Sequence, residues 1–440
     1  MINEHLDIEE NLEATYESYS ELPENILRKL EWFQDQKIGV IFHWGIYTNA
    51  SIVESWQLSE EDDWARKRGG WRNDIDELRE DYWNLHYQFN PHKFDAADWA
   101  KTCKEAGFRY MIFTTKHHDG FNMYDTNYSD YKVTSEPCPF AKDPRADIFG
   151  EVATAFRNEG LSVGAYYSKP DWHSPLYWVP GERPKGRYAS YDPLEYPERW
   201  AQYDQFVHDQ LVEITQNYGD LDILWLDGGW VNKRHEQLDM TRIVTDVRRN
   251  QPDLLVVDRS IGGIHENYVT PERKIPDVPP TKAWESNIPL AKNWGFCAND
   301  EFKSFAEILK SVVKVVAMGG NIILGFGPKP DGTLSNEAKA ILKPLGTWLA
   351  TFGDGIYETR PVDAPLPRGW YATKKGHRLY LFHEKGEMLP LEIHDLPAGI
   401  KDIRLLATQE TVSFETLNQT LDHEALFEVY QIDYASTVTK

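Results

Sequence analysis

The sequence predicts an α/β fold: a TIM-like (β/α)-barrel followed by a C-terminal antiparallel β-sandwich domain. Three observations predict it. Short apolar runs alternate with helical segments through most of the chain, the pattern of a parallel sheet with crossover helices. Polar residues gather at or just past the C-terminal ends of these runs, as they do at the catalytic face of a barrel. After Arg360-Pro361 the pattern changes to short alternating segments separated by turn residues.

The elements follow in order. Residues 1–35 are acidic and read as a helical lead-in packed on the barrel. The barrel is expected over residues 36–360. Its strand candidates are IGVIFHWG (38–45), RYMIFTTKHH (109–118), LSVGAYYS (161–168), DILWLDG (222–228), DLLVVDRS (253–260), KAWESNI (282–288) and NIILGFGP (321–328). Each is nearly continuous in apolar residues, as strands buried on both faces are. Helical segments between them end near Gly107, Gly160 and Gly219, with others over roughly 234–249, 299–318 and 335–352. No GxGxxG follows the first run, so a dinucleotide-binding open sheet has no support. Residues 361–440 are expected to form the sandwich. The charged, Trp-rich stretch from about 52 to 92 reads as a long loop at the barrel mouth.

Composition narrows the function. A formal net charge of −23 argues against nucleic acid or an anionic membrane as partner. No run of apolar residues is long enough to span a bilayer. The acidic first residues lack the pattern of a signal peptide, which leaves open a cytoplasmic protein or an exported one whose signal has been removed. Cys103, Cys138 and Cys297 lie far apart with no CxxC, so neither a disulfide framework nor a thiolate zinc site is expected. The 16 tryptophans suit stacking against sugar rings.

Two carboxylates carry the chemistry. Asp227 follows ILWL at a strand end and precedes Gly228-Gly229, where a ligand can approach the backbone; a helix N-cap or a loop ion pair is the competing reading. Glu285 in AWESNI is placed at another strand end, beside Trp284; a partner for a nearby Lys or Arg is its alternative. Carboxylates on two strand ends can flank a glycosidic bond as nucleophile and acid/base. His117-His118-Asp119 resembles a metal cluster, but adjacent strand residues point to opposite faces, and no HExxH accompanies them. Hydroxyl-binding histidines are expected there, with no metal and no cofactor. GxSxG and P-loop motifs are absent from the sequence.

Taken together, FQDQKIGVIFHWGIYTNAS, FRYMIFTTKHHDGF, GAYYSKPDW, ILWLDGGW, WESNIPLAKNWGF and MGGNIILGFGPKPDGTL resemble, in order and spacing, glycoside hydrolase family 29, the α-L-fucosidases. The resemblance covers roughly residues 30–361. It implies a retaining exo-glycosidase that needs no metal or organic cofactor and acts on a fucosylated oligosaccharide or glycoconjugate. It also implies Asp227 as nucleophile, Glu285 as acid/base, and His43, His117 and His118 as ligands of the sugar hydroxyls. Tyr167, Trp225 and Arg259 are implied at the same pocket. The family's Tyr-Ser-Val-Pro and Glu-Trp-Tyr are replaced by Tyr47-Thr48-Asn49-Ala50 and Glu54-Ser55-Trp56, with Trp56 as a stacking residue and Glu54 as the rival acid/base. The alternatives are an exo-α-L-galactosidase with the same machinery, a catalytically silent carbohydrate-binding barrel, and a metal hydrolase built on His117, His118 and Asp227. A homo-oligomer is left open.

Overall fold

Buried apolar runs alternating with capped helices build the barrel. The computed structural model describes residues 22–231, 235–259, 265–363, 366–386, 389–419 and 425–435. Seven parallel strands, β1 (Ile38–Phe42), β2 (Tyr110–Lys116), β3 (Ser162–Ser168), β4 (Ile223–Asp227), β5 (Leu255–Asp258), β6 (Glu285–Pro289) and β7 (Asn321–Phe326), lie in the order β5-β4-β3-β2-β1-β7-β6. Around them stand α1 (Glu24–Gln36), α2 (Ala96–Glu105), α3 (Ile148–Asn158), α4 (Pro197–Asn217), α5 (Met240–Asn250), α6 (Phe305–Ala317) and α7 (Asn336–Phe352). Asp95, Asp147, Asp239, Ser304 and Ser335 cap α2, α3, α5, α6 and α7 by accepting first-turn N–H groups, which would otherwise lack partners.

No eighth strand of regular length closes the ring among the described residues. The segment after β5 takes that place. It touches β5 through a bridge from Val257 to Glu266, then runs parallel to β6 through Val269–Trp284 and Glu272–Asn287 bridges. Glu272 therefore stands at the C-terminal end of this seam.

Strand alternation decides what fills the barrel. Ile41, Tyr110, Ile112, Tyr166, Ile223, Trp225, Leu255, Val257 and Ile323 form an interior core, while their chain neighbours pack outward against the helices. Gly39 is required here, because a Cβ at that position would overlap the Tyr110 ring. Helix α1 plugs the N-terminal mouth. Its buried Ile26, Leu30 and Phe33 share one face, and Phe33 stacks on Tyr268 at 4.1 Å. Residues 1–21 of the expected lead-in lie outside the described residues.

The antiparallel domain has six strands, β8 (Arg360–Pro361), β9 (Trp370–Lys375), β10 (Arg378–Glu384), β11 (Ile400–Leu405), β12 (Glu410–Thr411) and β13 (Phe427–Tyr434), in the order β12-β11-β13-β10-β9-β8. Tyr380 and Phe382 of β10 join the main core next to α7, while Leu379 and Leu381 face a second core with Trp370, Leu391 and Leu417. This two-sided burial attaches the domain to the barrel's outer helices α6 and α7. Among the described residues no helix is long and apolar enough to cross a membrane.

Candidate active site

The site begins with Asp227, the last residue of β4. Its Oδ1 accepts a hydrogen bond from Arg259 Nη1 at 2.7 Å and its Oδ2 one from Tyr166 Oη at 2.6 Å. Burial pushes this carboxyl up, but the Arg259 guanidinium and the Tyr166 hydroxyl hold it well below the usual carboxylate range. Asp227 is thus an anion on a rigid strand end, with a side chain still 16% exposed. Trp225 lies beneath, stacked on Tyr166 with centroids 5.4 Å apart and with the Arg259 guanidinium 4.7 Å above it.

The structure differs from the sequence-based expectation at the tyrosine pair. Tyr167 faces away from the pocket: its hydroxyl donates to Gln210 at 2.8 Å and receives Lys116 Nζ at 3.0 Å. Tyr166 faces inward instead, because β3 alternates and Trp225, its partner across to β4, also points in.

The histidines also depart from simple alternation. The pairing of β2 with β3 shifts register between Thr114 and Lys116, and a bulge of this kind redirects side chains. His117 and His118 follow the last residue of β2, where the chain leaves the pleat, and their ring centroids lie 4.2 Å apart. Burial depresses the basicity of both, to about 4 for His117, and that of His43 as well. All three are neutral at pH 7. Ser168 Oγ gives its one proton to Pro170 O at 2.6 Å, so His118 Nδ1 must donate to Ser168 at 2.7 Å. His118 Nε2 then carries a lone pair facing Asp227 Oδ2 at 3.9 Å. Two acceptors facing each other make a place for a hydroxyl donor.

Ligand atoms of His117, His118 and Asp227 lie within 4.8 Å of one another, so the expectation that adjacent histidines cannot share an ion does not hold here. Both Asp227 oxygens are nonetheless engaged, and the Arg259 cation beside them opposes a second cation.

Glu285 is the largest correction. It is the first residue of β6, not the last. It is fully buried, opposite Asn321 at the start of β7, and accepts from Tyr110 Oη at 2.6 Å. The sequence placed Glu285 at the C-terminal end of the run KAWESNI, but strand pairing begins only at this residue, so the side chain sits on the barrel floor. The carboxylate that joins Asp227 at the mouth is Glu272. Its Oε2 accepts from Arg259 Nη2 at 2.8 Å and its Oε1 from Trp294 Nε1 at 3.1 Å. One guanidinium fork thus holds Asp227 and Glu272, which keeps them within a sugar's width, compatible with the roughly 5–5.5 Å of retaining glycosidases. No local motif marks Glu272; it lies in irregular chain.

Aromatic and charged walls complete the cleft. Trp56 lines it as expected, packed edge-on to His118 at 5.0 Å. Trp230 stands beside it, and Arg187 lies over both indoles while pairing with Asp62. Trp294 stacks on His43 at 5.2 Å. Glu54 also reaches the cleft, 2% exposed, with Oε1 accepting the Gly295 N–H; burial raises its carboxyl.

Comparison with known proteins gives the family. The family model for α-L-fucosidase matches residues 7–354. The human plasma α-L-fucosidase is 26% identical over 415 residues, covering 88% of this chain and 84% of that protein. The tissue α-L-fucosidase of Macaca fascicularis is 28% identical over 373 residues, 79% of this chain and 74% of that one. Among solved structures, α-L-fucosidase isoenzyme 1 from Paenibacillus thiaminolyticus superposes with a TM-score of 0.78 at 27% identity, covering 93% of this chain and 100% of that one. The Thermotoga maritima α-fucosidase in complex with fucose superposes with a TM-score of 0.72 at 26% identity, over 91% and 96% of the two chains. With a family match over most of its length and the barrel to go with it, the chain belongs to the α-L-fucosidases, glycoside hydrolase family 29.

Proposed function

We propose that the protein hydrolyses terminal α-L-fucosides by double displacement, with Asp227 as nucleophile and Glu272 as acid/base. The observation that carries this reading is the Arg259 fork, 2.7 Å from one carboxylate and 2.8 Å from the other. In the first step an Asp227 oxygen attacks the anomeric carbon, the glycosidic C–O bond breaks, and Glu272 gives its proton to the departing oxygen. In the second, Glu272 takes a proton from water, whose oxygen attacks the same carbon, and the Asp227 ester bond breaks to release fucose. His43, His117 and His118, being neutral, can accept hydrogen bonds from the ring hydroxyls and orient the sugar. Trp56 and Trp230 supply flat apolar faces beside it. Glu272 is preferred to Glu54 because its side chain is 22% exposed and shares Arg259 with the nucleophile, whereas Glu54 is bound to backbone inside the wall.

The test is kinetic. Asp227→Ala should lose nearly all turnover of an aryl α-L-fucoside while folding normally. Glu272→Ala should slow natural oligosaccharides far more than activated aryl fucosides, and azide should restore its rate. Azide rescue of Glu54→Ala in place of Glu272→Ala would transfer the acid/base role to Glu54.

A further inference from the structure

β6 carries one polar side chain in the cleft that the chemistry above leaves unused. Asn287 lies two residues beyond Glu285 on the same face of the strand, about 6–7 Å nearer the mouth. Ser286 between them turns to the other face and donates its Oγ proton to Lys274 O at 2.8 Å. The Asn287 backbone is locked to the closing segment on both sides of Glu272. Its N–H donates to Pro271 O at 2.9 Å, and its carbonyl accepts from Arg273 N at 2.8 Å. Its side chain lines the cleft together with Ile41, Trp225 and Trp294 and is 2% exposed. Asn287 Oδ1 is buried there with no hydrogen-bond partner among the described residues. An unpaired amide at such depth is costly, so one that faces a ligand cleft is a group for the ligand to satisfy.

We propose that Asn287 is a specificity-determining residue that binds a hydroxyl on carbon 6 of the sugar, so that the cleft hydrolyses α-L-galactosides as well as α-L-fucosides. The inference rests on the reading of Asp227 as nucleophile. That reading sets carbon 1 against Asp227 at the end of β4. The seat between Asp227 Oδ2 and His118 Nε2 then takes the hydroxyl of the adjoining carbon 2. Carbons 3 and 4 run on toward His117 and His43, at the ends of β2 and β1. Carbon 5 and the ring oxygen are left on the opposite edge, which faces the closing segment and β6. L-Fucose carries a methyl on carbon 5 and L-galactose a hydroxymethyl; the two sugars are otherwise the same. A methyl rests against Ile41 and Trp294 and leaves the Asn287 amide dry. A hydroxyl on carbon 6 gives that amide its partner, because a carboxamide both donates and accepts. The chemistry is unchanged: Glu272 protonates the departing oxygen, water cleaves the Asp227 ester, and the sugar released is L-galactose.

Paired kinetics on an aryl α-L-fucoside and the matching aryl α-L-galactoside test this. Wild type should hydrolyse the galactoside with kcat/KM within about tenfold of the fucoside value, since the added hydroxyl finds a partner in place of an apolar wall. A larger deficit, with the fucoside hydrolysed, would overturn the proposal and leave the reading of the site standing. Wild type inactive on the fucoside, or Asp227→Ala active on it, would overturn that reading and the proposal with it. Asn287→Leu, close to Asn in size, replaces the amide by a methyl-bearing wall. It should lower the galactoside-to-fucoside ratio of kcat/KM about tenfold. Both rates come from one protein sample, so partial misfolding cancels from the ratio. An unchanged ratio in Asn287→Leu would overturn the proposal, because the carbon-6 hydroxyl would then be bound by another group.

Discussion

Replacing Arg259 by Met should move the acid limb of kcat/KM upward. The guanidinium is 6% exposed and gives one hydrogen bond to Asp227 at 2.7 Å and another to Glu272 at 2.8 Å. Hydrogen bonds to charged groups contribute about 1.5–3 kcal/mol each, and one pK unit corresponds to about 1.4 kcal/mol. Losing the bond to Asp227 should therefore raise that carboxyl by about one to two units. Burial, the largest influence on Asp227, is then less opposed. The assay is kcat/KM for an aryl α-L-fucoside carried down to the lowest pH at which both proteins stay folded, where the variant should lose rate before the wild type does. Arg259→Lys should give an intermediate shift, because an ammonium cannot fork to both carboxylates. Stability provides a second check. In the wild type Asp227 is depressed on folding, so its contribution is present above the unfolded value of about 3.9 and is lost as pH falls. The difference in melting temperature between wild type and Arg259→Met should be level above about pH 4 and narrow as pH falls below it. A variant that is slower at every pH with an unmoved acid limb would refute the argument that this ion pair sets the ionisation of Asp227.

Two further outcomes follow from the geometry. Tyr166→Phe removes the 2.6 Å hydrogen bond to Asp227 and should lower kcat about tenfold or more; Tyr167→Phe, acting on the outer side of β3, should leave kcat nearly unchanged and lower only the melting temperature, and the reverse ranking would contradict the assignment. Gly325→Ala should impair both activity and stability, since its Cβ would overlap the Trp294 ring, which stacks on His43 and donates to Glu272; overpacking of this kind costs about 1–3 kcal/mol, and unchanged kcat/KM with a normal melt would show that Trp294 is free to shift.

Much of the fold and part of the site were legible in the sequence. The seven apolar runs are the seven barrel strands, because burial on both faces leaves an unbroken hydrophobic signal. Asp227 was legible because it terminates such a run; His43, Trp225 and Arg259 were implied by the resemblance to the family, and all four line the cleft. Tyr167 was chosen over Tyr166 because the sequence does not state which of two adjacent tyrosines faces in. The histidine pair escaped the alternation argument for a related reason: where strand pairing stops is a tertiary property with no residue signature of its own. Glu285 was misplaced by the start of one strand, where a shift of a few residues separates the mouth of a barrel from its floor.

Residue periodicity, turn residues and the placing of polar groups by themselves determined the barrel, the antiparallel domain after it and the strand end that carries Asp227. These are local properties, set by which side chains the backbone must bury and which groups it must cap. The pairing of Glu272 with Asp227 was decided only by tertiary structure. Their chemistry depends on a guanidinium reaching both carboxylates across the seam of the barrel, and such a distance exists only once the ring has closed.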